Sequence, residues 1–243
     1  MTKPLAALPL LLAIGHASAQ DNPKRWTLEL ETGFTAPRYN NAQVPKETGT
    51  NLDLAGLVGK NWRTFGRLSL LYQDPKGGTW KLLVAPFRQS GSGALDAPAS
   101  FAGKTFAAGA AKATYRFDSY RLTYRKPWKG GWAVGGTLKV RDAEIRLEQG
   151  VTEASERNVG LVPLLNLHKE GVLSGDVRYE FEMDGLAGGP GRAFDVSLRA
   201  KRRFASGTTA FVGVRVLEGG ADVPRVKNFA WVTYATAGVS LPF

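Results

Sequence analysis

The stretch DVRYEFEMD, residues 176–184, alternates without a break. Val177, Tyr179, Phe181 and Met183 share one parity, and Arg178, Glu180, Glu182 and Asp184 the other. A period of two puts these sets on opposite faces of a strand, whereas a helix would scatter them. The same pattern recurs along the chain. RWTLELETGF (25–34) sets Trp26, Leu28, Leu30 and Phe34 against Glu29 and Glu31, and FGRLSLLYQ (65–73) sets Leu68, Leu70 and Tyr72 against Arg67 and Ser69. TWKLLVAPFR (79–88) keeps Trp80, Leu82 and Val84 in phase, and DSYRLTYRK (118–126) opposes Tyr120, Leu122 and Tyr124 to Arg121, Thr123 and Arg125. GWAVGGTLKVR (131–141) opposes Trp132, Val134, Leu138 and Val140 to Thr137, Lys139 and Arg141. GLVPLLNLHK (160–169), FDVSLRAKR (194–202), TAFVGVRVL (209–217) and FAWVTYATAGVSLPF (229–243) complete the series. The count is about ten strands, with about eight or twelve left open by how the longer connections divide.

Upstream of this series, MTKPLAALPLLLAIGHASAQ joins a basic Lys3 to an apolar run and ends in small residues at Ala17 and Ala19. That is the layout of a secretory signal peptide, expected over residues 1–20, with the barrel expected over residues 21–243. The run is too short to cross a bilayer as a helix, and no later stretch is long and apolar enough to do so. Without Lys3, the 32 basic residues fall to 31 against 21 acidic ones. An exported basic chain is expected to meet anionic lipid or polysaccharide, and no nucleic acid. There is no cysteine, which excludes a disulfide framework and thiolate metal sites.

Connections alternate in length. DPKGG (74–78), PWKGG (127–131), KEGVLSG (169–175) and ASGT (205–208) are short and glycine-rich. Longer polar stretches lie between them, roughly at 36–60, 91–113, 146–158, 185–193 and 219–228. Short and long in turn is the rhythm of an up-and-down barrel with short periplasmic turns and long external loops. Alternation alone does not say which face is inside, because a soluble sandwich alternates too. Segment length favours the membrane, since a tilted crossing needs about 9–11 residues. Aromatic residues near the segment ends, such as Trp26, Tyr72, Trp80, Tyr124, Trp132 and Trp231, suit interfacial girdles. The chain also stops inside a strand pattern, on Phe243, as expected of a closing strand that pairs with the first.

These features together resemble Gram-negative outer-membrane β-barrel proteins, and RDAEIRLE (141–148) with LEGGAD (217–222) is similar to barrels of that kind with no assigned activity. The resemblance implies an all-β fold, a single up-and-down antiparallel transmembrane barrel in the bacterial outer membrane. It implies outer-membrane lipid and lipopolysaccharide as surroundings, and the barrel-assembly machinery as a partner reading Val239, Leu241 and Phe243. It further implies a monomer and no cofactor.

If the apolar face meets lipid, the other face fills the lumen. Glu29, Glu31, Arg67, Arg121, Lys139, Glu180, Glu182, Arg199 and Arg215 are then expected to form a charge network there, because a buried charge must be paired or hydrated. Enzymes among outer-membrane barrels of this size resemble one another in relying on a histidine. Here the histidines are His16, inside the leader, and His168, expected at a periplasmic strand end. No catalytic residue and no metal site is therefore expected. The carboxylates Asp142, Glu144, Glu148, Asp184, Glu218 and Asp222 are expected towards the outer rim, as partners for Arg141, Arg146, Arg192 and Arg225. The expected role is structural, adhesive or surface-recognition through the external loops. A narrow channel for small anionic solutes is the first alternative, and an enzyme acting through rim carboxylates the second.

Overall fold

The computed structural model describes residues 25–243; the expected signal peptide lies outside them. In chain order the elements are β1 (Trp26–Gln43), β2 (Leu52–Asp53), α1 (Leu54–Val58), β3 (Arg63–Gln73), β4 (Thr79–Ala85), β5 (Arg88–Leu95), β6 (Ala99–Phe101) and β7 (Lys104–Phe106). They continue with β8 (Gly109–Pro127), β9 (Trp132–Gln149), β10 (Thr152–Ser174), β11 (Val177–Gly188), β12 (Gly191–Arg203), β13 (Thr209–Val223) and β14 (Val226–Pro242). Each long strand pairs antiparallel with its sequence neighbour, and β14 returns to β1 from Thr27↔Pro242 to Gln43↔Lys227. With β4 and β5 counted as one bent stave, this is a closed ten-strand barrel. Closure satisfies the backbone groups that a free edge would leave bare in lipid.

The two parities separate as the sequence reading expects. Leu30, Phe34, Leu68, Leu82, Leu122, Leu138, Leu165, Leu198 and Val212 are exposed on the outside. Trp26 against Tyr72 and Trp80 against Tyr124, at ring separations of 4.7 and 4.4 Å, mark the end that carries the short turns. Val239 and Leu241 lie on the outer face of β14, and Phe243 exchanges backbone hydrogen bonds with Trp26.

The outer end departs from the expected loops. β9 and β10 stay paired as far as Gln149↔Thr152, and β13 and β14 as far as Val223↔Val226. The stretches 146–158, 185–193 and 219–228 are thus strand extensions closed by tight turns. Pairing on through the headgroup region satisfies their backbone without a loop. The first external connection folds inwards instead. Its helix α1, capped by Asp53 accepting from Gly56 N–H at 3.0 Å, buries Leu54, Leu57 and Val58. These pack with Phe101 and Phe106, both 0% exposed, and with Leu147 of β9. An apolar plug therefore fills the outer lumen on the β1–β9 side.

Two local features test the wall. Gly33 of β1 has φ +139°, and a Cβ there would overlap the Ala235 carbonyl oxygen on β14. Gly33→Ala is expected to weaken the closing seam, seen as less folded, heat-modifiable protein on unboiled gels. In the turn after β3, the Asp74 carboxylate accepts from the N–H groups of Gly78 and Lys76 and from the Tyr124 hydroxyl. These bonds, the Gly78 bond foremost, hold its carboxyl below the usual carboxylate range. A depressed folded-state pKa adds stability at neutral pH that is lost as pH falls through that range. Asp74→Ala is expected to lower the unfolding temperature at neutral pH and to match wild type in acid.

Candidate functional site: a charged floor beneath an apolar cavity

In the half of the lumen nearest the short turns, charged side chains replace an apolar core. The inward parity of β1, β3, β4, β8, β11, β12 and β13 brings them to the barrel axis. Arg199, 2% exposed, is the hub. It reaches Glu29 at 2.8 Å, Glu31 at 2.5 Å and Glu180 at 3.3 Å, and its guanidinium lies 4.5 Å from the centre of the Phe211 ring. Arg215 bridges Glu31 at 3.1 Å and Asp195 at 2.5 Å. Asp195 also takes Arg67 at 3.3 Å and Arg121 at 2.7 Å. Arg121 continues to Asp184 at 2.9 Å, and Glu182 receives Arg125 and Lys81 at 2.8 and 2.7 Å.

All nine residues expected in the lumen are placed there. Lys81 and Asp195 are network members that the sequence reading did not single out. Their inward parity is legible in TWKLLVAPFR and FDVSLRAKR. Asp184, expected on the lumen face and towards the outer rim, is 7% exposed and accepts from Thr137 and Asn166 as well as Arg121. A void among the network residues measures about 10 Å³, and one of about 20 Å³ lies where Arg67 and Arg121 meet Phe65, Phe87 and Tyr234. Each has room for about one water molecule.

His168 points into this network from within β10, not from a strand end. Its Nε2 lies 3.8 Å from Glu170 and 3.9 Å from Glu180. These three have the spacing of a metal cluster, yet Lys201 already supplies the cation there, at 2.5 Å from Glu170 and in contact with Glu180. The remaining rim carboxylates are ion-paired on the outer surface. Asp142 binds Arg116 and Arg157 at 2.9 and 2.8 Å, Glu144 binds Arg146 at 3.0 Å, and Glu148 binds Lys112 at 3.0 Å. Glu218 binds Arg192 at 2.8 Å and Asp222 binds Lys46 at 2.7 Å. Of the arginines expected as their partners, Arg141 instead reaches Asn158, and Arg225 reaches Glu156.

One cation stands apart. Lys139 is 2% exposed, and among the described residues no carboxylate lies within 4.0 Å of its ammonium, which sits 4.7 Å from the centre of the Phe117 ring. The buried charged set shows the imbalance. Arg67, Lys81, Arg121, Arg125, Lys139, Arg199 and Arg215 face Glu29, Glu31, Glu180, Glu182, Asp184 and Asp195, one carboxylate fewer. Asp184 and Asp195, the acids nearest Lys139, are committed to arginines. Lys139 and Arg141 line the floor of a cavity of about 490 Å³ in the outer half of the barrel. Its walls are mainly apolar and small: Ala143, Ile145, Val162, Ala193, Leu217, Ala221, Val226 and Ala230. The volume and lining are those of a small-molecule site, about 300–1,000 Å³ in size.

Arg199→Met should strand the buried Glu29 and take one cation from Glu31 and Glu180, which keep Arg215 and Lys201, and cost about 3–5 kcal/mol. Urea unfolding of the reconstituted barrel would show it as a lower midpoint.

No protein-family model matches the sequence, and no curated protein matches it. Solved structures do resemble the fold. Ail, the attachment invasion locus protein of Yersinia pestis, was solved in complex with the heparin analogue sucrose octasulfate. It is 9% identical at a TM-score of 0.41, over 89% of this chain and 99% of its own. Neisserial surface protein A is 10% identical at a TM-score of 0.37, over 90% and 97%. The Pseudomonas putida toluene transporter TodX is 8% identical at 0.30, over 91% and 90%. A closed ten-strand barrel with an apolar outer band, aromatic rings at the short-turn end and a charged interior is an integral β-barrel of the bacterial outer membrane.

Proposed function

We propose that this barrel is neither a pore nor an enzyme but a binding protein for a small anionic amphiphile, held in the outer half of the lumen. The observation that carries the reading is Lys139. A buried cation without a carboxylate is costly, and its contact with the Phe117 ring offsets only about 0.5–2 kcal/mol. A carboxylate or phosphate head group beside Lys139 would supply the missing charge, and the apolar walls above would take the chain attached to it. Recognition thus sits in the cavity more than in the external loops, the first of which is packed inside as α1.

Against a channel stand the continuous ion-pair network and the small size of the void within it. Against carboxylate catalysis stands the pairing of every rim acid weighed for it. A monomer inserted by the barrel-assembly machinery completes the proposal, with Val239, Leu241 and Phe243 as the recognised strand end.

Two measurements test this. Planar-bilayer recordings are expected to be silent, and steady openings that respond to charge reversal at Arg121 would refute the closed floor. Binding of cis-parinaric acid, a fluorescent long-chain carboxylate, is expected to weaken about tenfold or more in Lys139→Met. The same variant is expected to unfold at equal or higher urea than wild type without ligand, because it removes an uncompensated charge. Unchanged binding would overturn the reading.

A further inference from the structure

Hydrogen bonding in the wall lapses at two places. Above Leu68↔Val84, β3 pairs only with β1, and β5 only with β8. The bend at Pro86 separates β4 from β5 here. Helix α1 closes this lapse from within: Gly91 and Gly93 lie against the backbone of Val58 and Leu57, and Arg63 donates to the Val58 carbonyl at 2.9 Å.

The second lapse has no such cover. The β10–β11 ladder ends at Leu165↔Gly185. Beyond it, β10 runs on to Thr152 with β9 alone, and β11 to Gly188 with β12 alone. Pro163 gives the cause. Its register partner on β9 is Leu138 in an unbroken ladder, so its nitrogen faces β11, and a proline has no N–H to donate there. The next rung, which would join position 163 to 187, lacks its donor.

The depth of this lapse matters. Val159, Leu161 and Leu165 are about three-fifths exposed on the outer face, and charge begins only at Asp142, the partner of Val159. The unpaired edge from Val159 to Leu164 therefore lies within the apolar band, in its outer half. A bare strand edge is not tolerated in hydrocarbon unless it lines a cavity. It does so here: Leu161, Val162 and Pro163 of β10 face Leu186 and Gly188 of β11 across the opening of the cavity floored by Lys139.

We infer that the gap between β10 and β11 is a side door. Through it the acyl chain of an acidic amphiphile in the outer leaflet enters the cavity, its head group settling at Lys139. The inference rests on the proposed binding function and adds the route and the source, the membrane rather than the medium. A chain entering this way exchanges lipid for an apolar wall, so it never crosses the rim of paired charges.

The chain has no cysteine, which makes the test clean. Leu164→Cys with Leu186→Cys, one step beyond the last rung, is bridged by a short bismaleimide, and Pro163→Val is made as a second closure that restores the donor. Protein in vesicles doped with a photoactivatable long-chain fatty acid is irradiated, and labelled cavity peptides are quantified by mass spectrometry. Bridging is expected to cut cavity labelling about tenfold or more, with Pro163→Val in the same direction and the unbridged pair unchanged. A short, water-soluble photoactivatable carboxylate added outside should label bridged and unbridged forms alike. Undiminished labelling of the bridged form would overturn the side door and leave the site standing. Equal labelling of wild type and Lys139→Met would overturn the site itself.

Discussion

Arg199 holds the interior of this barrel together. Its guanidinium joins carboxylates from β1 and β11 across the lumen, and through Glu31 and Asp195 that pairing extends to Arg215, Arg67 and Arg121. A membrane barrel cannot gather its apolar side chains inside, because they are needed outside. Its interior has to be held by polar contacts, and charges there are tolerable only when nearly all are matched. Matching across strands far apart in sequence also fixes which strands oppose each other, so the network ties shape to chemistry.

That constraint divides the lumen into zones. Where charges are matched, the space is closed. Above them the first two external connections supply a compensating apolar filling on one side, with Phe101 and Phe106 of the second fully covered. The other side is left open, bounded by small residues on β13 and β14. Lys139, the one buried cation without a carboxylate among the described residues, stands at the boundary between closed and open. The position of Lys139 is therefore as informative as its charge.

Most of the wall was legible in the sequence because strand period and membrane depth both act locally. Each alternating segment declared its own two faces, and the short glycine-rich turns declared their end of the barrel. The nine lumen residues follow from parity once the apolar face is assigned to lipid. What parity could not show is which charge lacks a partner, since that depends on distances across the axis: Lys139 looks no different in sequence from Arg121, its register partner on β8. Nor did local pattern reveal that the part of 36–60 beyond β1 turns inwards, because α1 is five residues long and owes its burial to packing. The proline in GLVPLLNLHK was visible, but its effect depends on which neighbour its nitrogen faces. His168 and Asp184 lie further from the strand ends than their segments suggest, because β10 and β11 run beyond their alternating cores.

The long outer pairing has a consequence for attack from outside the cell. Proteases need several residues of extended, unpaired chain at a loop tip. Here β9 and β10 remain in ladder up to Gly150 and Val151, and β13 and β14 up to Pro224 and Arg225. The face offered to secreted proteases is thus made of braced hairpins, with Arg146 clamped to Glu153 and Arg157 to Asp142 along the most prominent one. A surface built in this way resists nicking without a disulfide, and a chain with no cysteine has no other covalent brace to call on.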